Sequence, residues 1–161
     1  MSLQLSSGNL YKLKNVMHLR VTRAHRAYSD KLVEWKILKQ EVDNIQNQVD
    51  VLQHELDKVA AYKEQIKNDG DSTARKSVSD RRHWLIYDQD LAIYNLESAQ
   101  FDLKEATDLL NTYKAEWIRA QHRETTISEQ GEESLARETL MQEELQESEI
   151  EDLHIAGGSG K

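Results

Sequence analysis

The chain has 161 residues, of which 38% are apolar and 31% charged, with a net charge of −8. So little apolar surface argues against a compact globule and suits helices that bury one seam. The chain has no cysteine and no proline, which excludes disulfides and thiol chemistry and leaves its helices without imposed kinks. No apolar run approaches the ~18 residues of a membrane span. The first residues lack the basic-then-apolar pattern of a secretory signal.

Charge is unevenly placed. Residues 124–161 hold 11 acidic and 2 basic residues, whereas residues 1–123 hold 18 acidic and 19 basic. Within the first part, residues 10–39 are basic: Lys12, Lys14, Arg20, Arg23, Arg26, Lys31, Lys36 and Lys39 stand against Asp30 and Glu34. Such a block is either an interaction surface or a solvated helix face.

Residues 1–8 read as a flexible start. Ser7 or Asn9 can cap a first helix over about 10–68, because a short polar side chain accepts from the free amides of the first turn. The seam of this helix opens with Leu10, Leu13, Met17, Val21, Ala24, Tyr28 and Leu32. It becomes regular at Trp35, Leu38, Val42, Ile45, Val49, Leu52, Leu56 and Val59, which are separated by 3, 4, 3, 4, 3, 4 and 3 residues. That alternation places them on one narrow face, the pattern of a coiled-coil seam. Asn68-Asp69-Gly70-Asp71-Ser72-Thr73 interrupts it, with Gly70 suited to the left-handed position past a helix end. The short polar turn is expected near residues 69–76. Ser77-Val78-Ser79-Asp80 has the form of a capping box and predicts a second helix over about 77–130.

That second helix carries two apolar stripes. Ile93, Leu96, Ala99, Leu103, Ala106, Leu110, Tyr113, Trp117 and Ala120 form a partner seam for the first helix. Trp84, Tyr87, Leu91 and Tyr94 form another, which either covers the end of the hairpin or stays open and binds a partner. Thr125-Thr126-Ile127-Ser128 and Gly131 weaken the helix. The expected organisation is therefore a start over 1–8, an all-α antiparallel two-helix coiled-coil hairpin over 9–130, and an acidic tail over 131–161. The tail is expected to be partly disordered or marginally helical, ending in a flexible Gly157-Gly158-Ser159-Gly160-Lys161.

Catalytic chemistry finds little support. The closing Gly-Gly-Ser-Gly-Lys does not fit a phosphate loop, since Ile155 stands where glycine is needed and nothing follows Lys161. No two histidines stand four apart, as a helical zinc site needs. The carboxylates sit on faces where nothing shifts them or orders a substrate. The expectation is a protein that is not an enzyme, with no catalytic residue, no metal site, no cofactor and no nucleic-acid partner.

Two segments point further. One is Asp80-Arg81-Arg82-His83-Trp84-Leu85-Ile86-Tyr87-Asp88-Gln89, in which Arg82, Trp84, Tyr87 and Gln89 make an Arg-x-Trp-x-x-Tyr-x-Gln pattern. The other is Tyr113-Lys114-Ala115-Glu116-Trp117-Ile118-Arg119, with Lys114, Trp117 and Arg119 as its marks. With the two-helix layout over about 8–130, they resemble the central-stalk family of type III secretion systems, of the flagellar FliJ and injectisome YscO types. The injectisome branch is the nearer. The resemblance implies a monomeric cytoplasmic hairpin, without membrane insertion, at the inner-membrane secretion machine. The end formed by about 10–35 and 105–130 would enter a hexameric export ATPase. The face that begins at Trp84 and Tyr87 and runs along Leu91 and Tyr94 would meet a membrane protein of the export gate. Export chaperones are further partners that the resemblance implies. Asp90 stands where the family often has an apolar residue, and Leu91 is the nearest substitute. The alternative from the residues alone is a coiled-coil scaffold or adaptor that self-associates or pairs with partner helices.

Overall fold

A computed structural model describes residues 6–69 and 71–158. They form two helices, α1 (Ser7–Asp69) and α2 (Ser72–Gly158), packed against each other as an all-α antiparallel hairpin, with no strand among the described residues. The helix ends differ from expectation for local reasons. α1 starts at Ser7 rather than near residue 10, because Ser6 is the cap. Its hydroxyl oxygen accepts from the Asn9 amide at 3.4 Å and its carbonyl from the Leu10 amide at 3.0 Å.

α2 starts at Ser72, five residues before the expected capping box. Asp71 takes that role: its carboxylate accepts from the amides of Thr73 and Ala74, and these bonds hold its carboxyl below the usual range. Ser77 and Asp80 therefore lie inside α2, where the neighbouring Val78 is buried. The expected turn shrinks accordingly, and the backbone role expected of Gly70 lies outside the described residues.

The threonine-rich stretch does not end α2. Thr125 and Thr126 donate their hydroxyls to the Gln121 and His122 carbonyls four residues back, each at 3.0 Å. A hydroxyl bonded this way no longer competes for the backbone of its own turn. The helix continues through Gly131 and the expected tail to Gly158, so the helical part of the chain extends well past residue 130. Ser159–Lys161, the rest of the expected flexible end, lie outside the described residues.

The chain divides into two compact units, Ser29–Thr112 and Met1–Tyr28 with Tyr113–Lys161. In the first unit Val42, Leu96 and Ala99 are buried together, with Ile45, Val49 and Leu103 packed against them. Val59 is also buried, and Trp35, Leu38, Leu52, Leu56 and Leu110 are half-buried. Ile93 departs from the expected seam: it is 37% exposed, while Ala92 is 3% exposed. Stepping back from Leu96 by three or by four obeys helical spacing equally well. The structure takes the step of four, and the seam continues through Gln89 and Leu85, both half-buried.

Polar links across the seam hold the register. The Trp35 indole nitrogen donates to the Thr107 hydroxyl at 2.9 Å, and that hydroxyl donates to the Leu103 carbonyl at 2.7 Å. The Gln89 amide donates to the Gln53 side-chain oxygen at 2.7 Å. Glu55 meets Lys58 at 3.1 Å and Arg81 of α2 at 3.4 Å, and the lysine contributes most to lowering its carboxyl.

In the second unit Trp117 is half-buried. It stacks on Tyr28, with ring centroids 5.4 Å apart, and touches His25 at 4.7 Å. His18 Nδ1 lies 2.9 Å from a Glu124 oxygen. Leu10 is buried, and a side chain at Gly131 would place its Cβ 3.8 Å from the Leu10 Cβ. Ser134 is buried, and the Glu138 carboxylate accepts from both the amide and the hydroxyl of Ser7.

Candidate docking surface

The second stripe of α2 stands one or two residues off the seam, about 100–200° round the helix from it. Trp84, Tyr87, Leu91 and Tyr94 follow each other at spacings of 3, 4 and 3 and are 69, 60, 49 and 69% exposed. Trp84 and Tyr87 are left open to solvent. Phe101, seven residues beyond Tyr94, extends the stripe and is 61% exposed. It was not among the expected site residues, although the heptad step from Tyr94 marks it in the sequence. All five lie in the Ser29–Thr112 unit.

The stripe is ordered by its helix and by its own contacts. Trp84 and Tyr87 meet edge to face, with ring centroids 6.3 Å apart and planes at 84°. Such pairs fix the rings against each other without enclosing them. Over the 17 residues from Trp84 to Phe101 the stripe is ~25 Å long. Asp88 and Asp90 stand beside it, and Arg81, Arg82 and His83 stand at its Trp84 end. An exposed line of aromatics flanked by charge can take up a partner's apolar helix or loop, because large rings bring contact area at low entropic cost.

The seam residues serve another purpose. Trp35, Leu38, Val42, Ile45, Val49, Leu52, Leu56, Val59, Leu96, Leu103 and Leu110 join α1 to α2 in the first unit, and Trp117 belongs to the second. Thr107 and Gln89, which sequence periodicity in apolar residues passes over, join the same contact through hydrogen bonds.

The described residues contain no group of three or more His, Cys, Asp or Glu side chains placed to hold a metal ion. Among them, no buried side-chain nitrogen or oxygen lacks a partner. No helix among them is long and apolar enough to cross a membrane. The fold and this surface define an all-α hairpin with a second, uncovered apolar stripe. No protein-family model matches the chain, and neither curated proteins nor solved structures give a significant match.

Proposed function

We propose that this protein is a non-enzymatic central stalk of a type III protein secretion apparatus, linking a hexameric export ATPase to the export gate and offering a surface to export chaperones. The observation that carries the reading is the uncovered stripe of Trp84, Tyr87, Leu91 and Tyr94 on a hairpin whose opposite face is already satisfied by α1. A transmitting part needs an anchor for its partner and no reaction centre. Aromatic side chains on a stiff helix provide that anchor. Contacts with the ATPase ring must be weak enough to let the hairpin turn, which suits exposed charge that salt screens. The place of work is the cytoplasmic side of the inner membrane.

The test is the double variant Trp84→Ala with Tyr87→Ala. Export of a reporter substrate is expected to fall to background while far-ultraviolet circular dichroism stays unchanged. Normal export in that variant would remove the docking role. Pull-down with the co-encoded ATPase tests the other end, and retention by the hexamer is expected. The rival reading, a scaffold that pairs with other helices through its seam, predicts dimers at ~1 µM and physiological salt, where a stalk is a single hairpin.

A further inference from the structure

Residues 7–28 of α1 hold five lysines and arginines and no carboxylate, whereas residues 139–158 of α2 hold six carboxylates and no lysine or arginine. Both blocks belong to the same compact unit, and among the described residues no hydrogen bond or ion pair joins them. Glu138 takes the Ser7 amide and hydroxyl, so α2 passes the start of the described α1 at that point. It then runs on for 20 residues to Gly158, ~30 Å of helix. Every side chain on this overhang is exposed, including Leu140, Met141, Leu145, Ile150, Leu153 and Ile155.

The basic block presents a matching face. Lys12, Val16, Leu19, Arg23 and Arg26 follow at spacings of 4, 3, 4 and 3 on the side of α1 away from α2, and Val16 and Leu19 are exposed. Among the described residues, neither Lys12, Lys14, Arg20, Arg23 and Arg26 nor the overhang carboxylates form an ion pair. Two surfaces of opposite charge, each with apolar side chains between its charges, thus form no ion pair among the described residues of one unit.

We propose that the acidic overhang docks on the basic outer face of α1 in a second copy of this chain. Two copies related by a two-fold axis, terminal ends facing, place each overhang parallel to the other's α1, and the interface is isologous. The lengths agree: 20 residues of overhang lie along the 22 residues from Ser7 to Tyr28. In the register set by the ends, Glu144 comes near Lys12, and Asp152 comes within one turn of Arg23 of the other copy. This pairing goes beyond the stalk reading. It occludes the end that would enter an ATPase ring, so pairing and ring entry exclude each other.

Sedimentation equilibrium of the full chain at tens of micromolar tests the proposal. A dimer is expected at ~30 mM salt, with a dissociation constant about tenfold or more weaker at ~500 mM. Lys12→Glu with Arg23→Glu gives monomers, and so does Glu144→Lys with Asp152→Lys. A chain carrying all four changes, or an equimolar mixture of the two double variants, restores the dimer. Circular dichroism of each variant checks that its helices are intact. A monomer at low salt overturns the proposal, as does a dimer indifferent to both reversals or a charge swap that fails to restore pairing. Protection of residues 139–158 from hydrogen exchange in a monomer also overturns it, and would assign their cover to the chain's own first residues.

Discussion

Glu138 shows how a single side chain can reverse an expectation. Read in sequence it belongs to an acidic tail expected to be partly disordered or marginally helical. In the structure it closes the open end of α1, accepting from the hydroxyl and the amide of Ser7, and these two bonds, the hydroxyl's first, hold its carboxyl below the usual range. A carboxylate near a helix N-terminus also meets the positive end of the helix dipole. Because the folded-state value is lowered, the contribution is fully present above the ordinary carboxylate range and is lost as pH falls through the lowered value. Glu138→Gln should therefore melt below the wild type at pH 7. The gap should narrow as pH falls below the ordinary carboxylate range and the wild-type carboxyl loses its charge. Thermal melts followed by circular dichroism across that range check this, and a gap that persists or widens in acid would exclude the carboxylate as its source. Thr107 was invisible for a related reason. Its hydroxyl works inside the seam only because Trp35 reaches across from the other helix.

At the scale of the element, α1 was nearly legible. Its apolar residues alternate by three and four, and Val42 and Val59 are buried on the face that spacing picks out. α2 was harder for two physical reasons. Periodicity leaves neighbouring positions degenerate, so Ile93 looked as suitable as Ala92, and only packing against α1 separates them. Local signals were also outweighed. The box at Ser77 and Asp80 is sound chemistry, yet Asp71 caps the chain first and adds a buried Val78 to the packed length. The stretch Thr125–Ser128 was read from propensity alone, whereas in the structure its threonine hydroxyls bond four residues back within the helix and Ile127 is half-buried. Seam energetics follow from burial. Leu96, 9% exposed beside Val42 and Ala99, should cost about 2–3 kcal/mol when cut to alanine, the lower part of the range for such truncations, because two helices cannot close a site on every side. Urea melts check the value, and a loss below ~0.5 kcal/mol would mean that Leu96 is not part of a packed seam.

On the scale of the whole molecule, the division of labour between faces matters most. One face of each helix is spent on intramolecular pairing. The face of α2 bearing Trp84, Tyr87, Leu91, Tyr94 and Phe101 stays exposed, and among the described residues Lys12, Lys14, Arg20, Arg23, Arg26 and the carboxylates of residues 139–158 form no ion pair. The aromatic stripe was legible up to Tyr94, but whether it would be covered was not, because cover depends on which face α1 occupies. The length of α2 beyond α1 was illegible, since an acidic, glycine-containing stretch reads as well for disorder as for helix. All of these assignments require α1 and α2 to pair within one chain. The absence of native cysteine makes a direct measurement clean: Val42→Cys with Ala99→Cys, oxidised at ~1 µM, where encounters between chains are rare. Pairing within the chain predicts a disulfide inside a single polypeptide, seen as a monomer lighter by two hydrogens that migrates faster on a non-reducing gel. Cross-linked dimers in place of that species, or free thiols throughout, would contradict it.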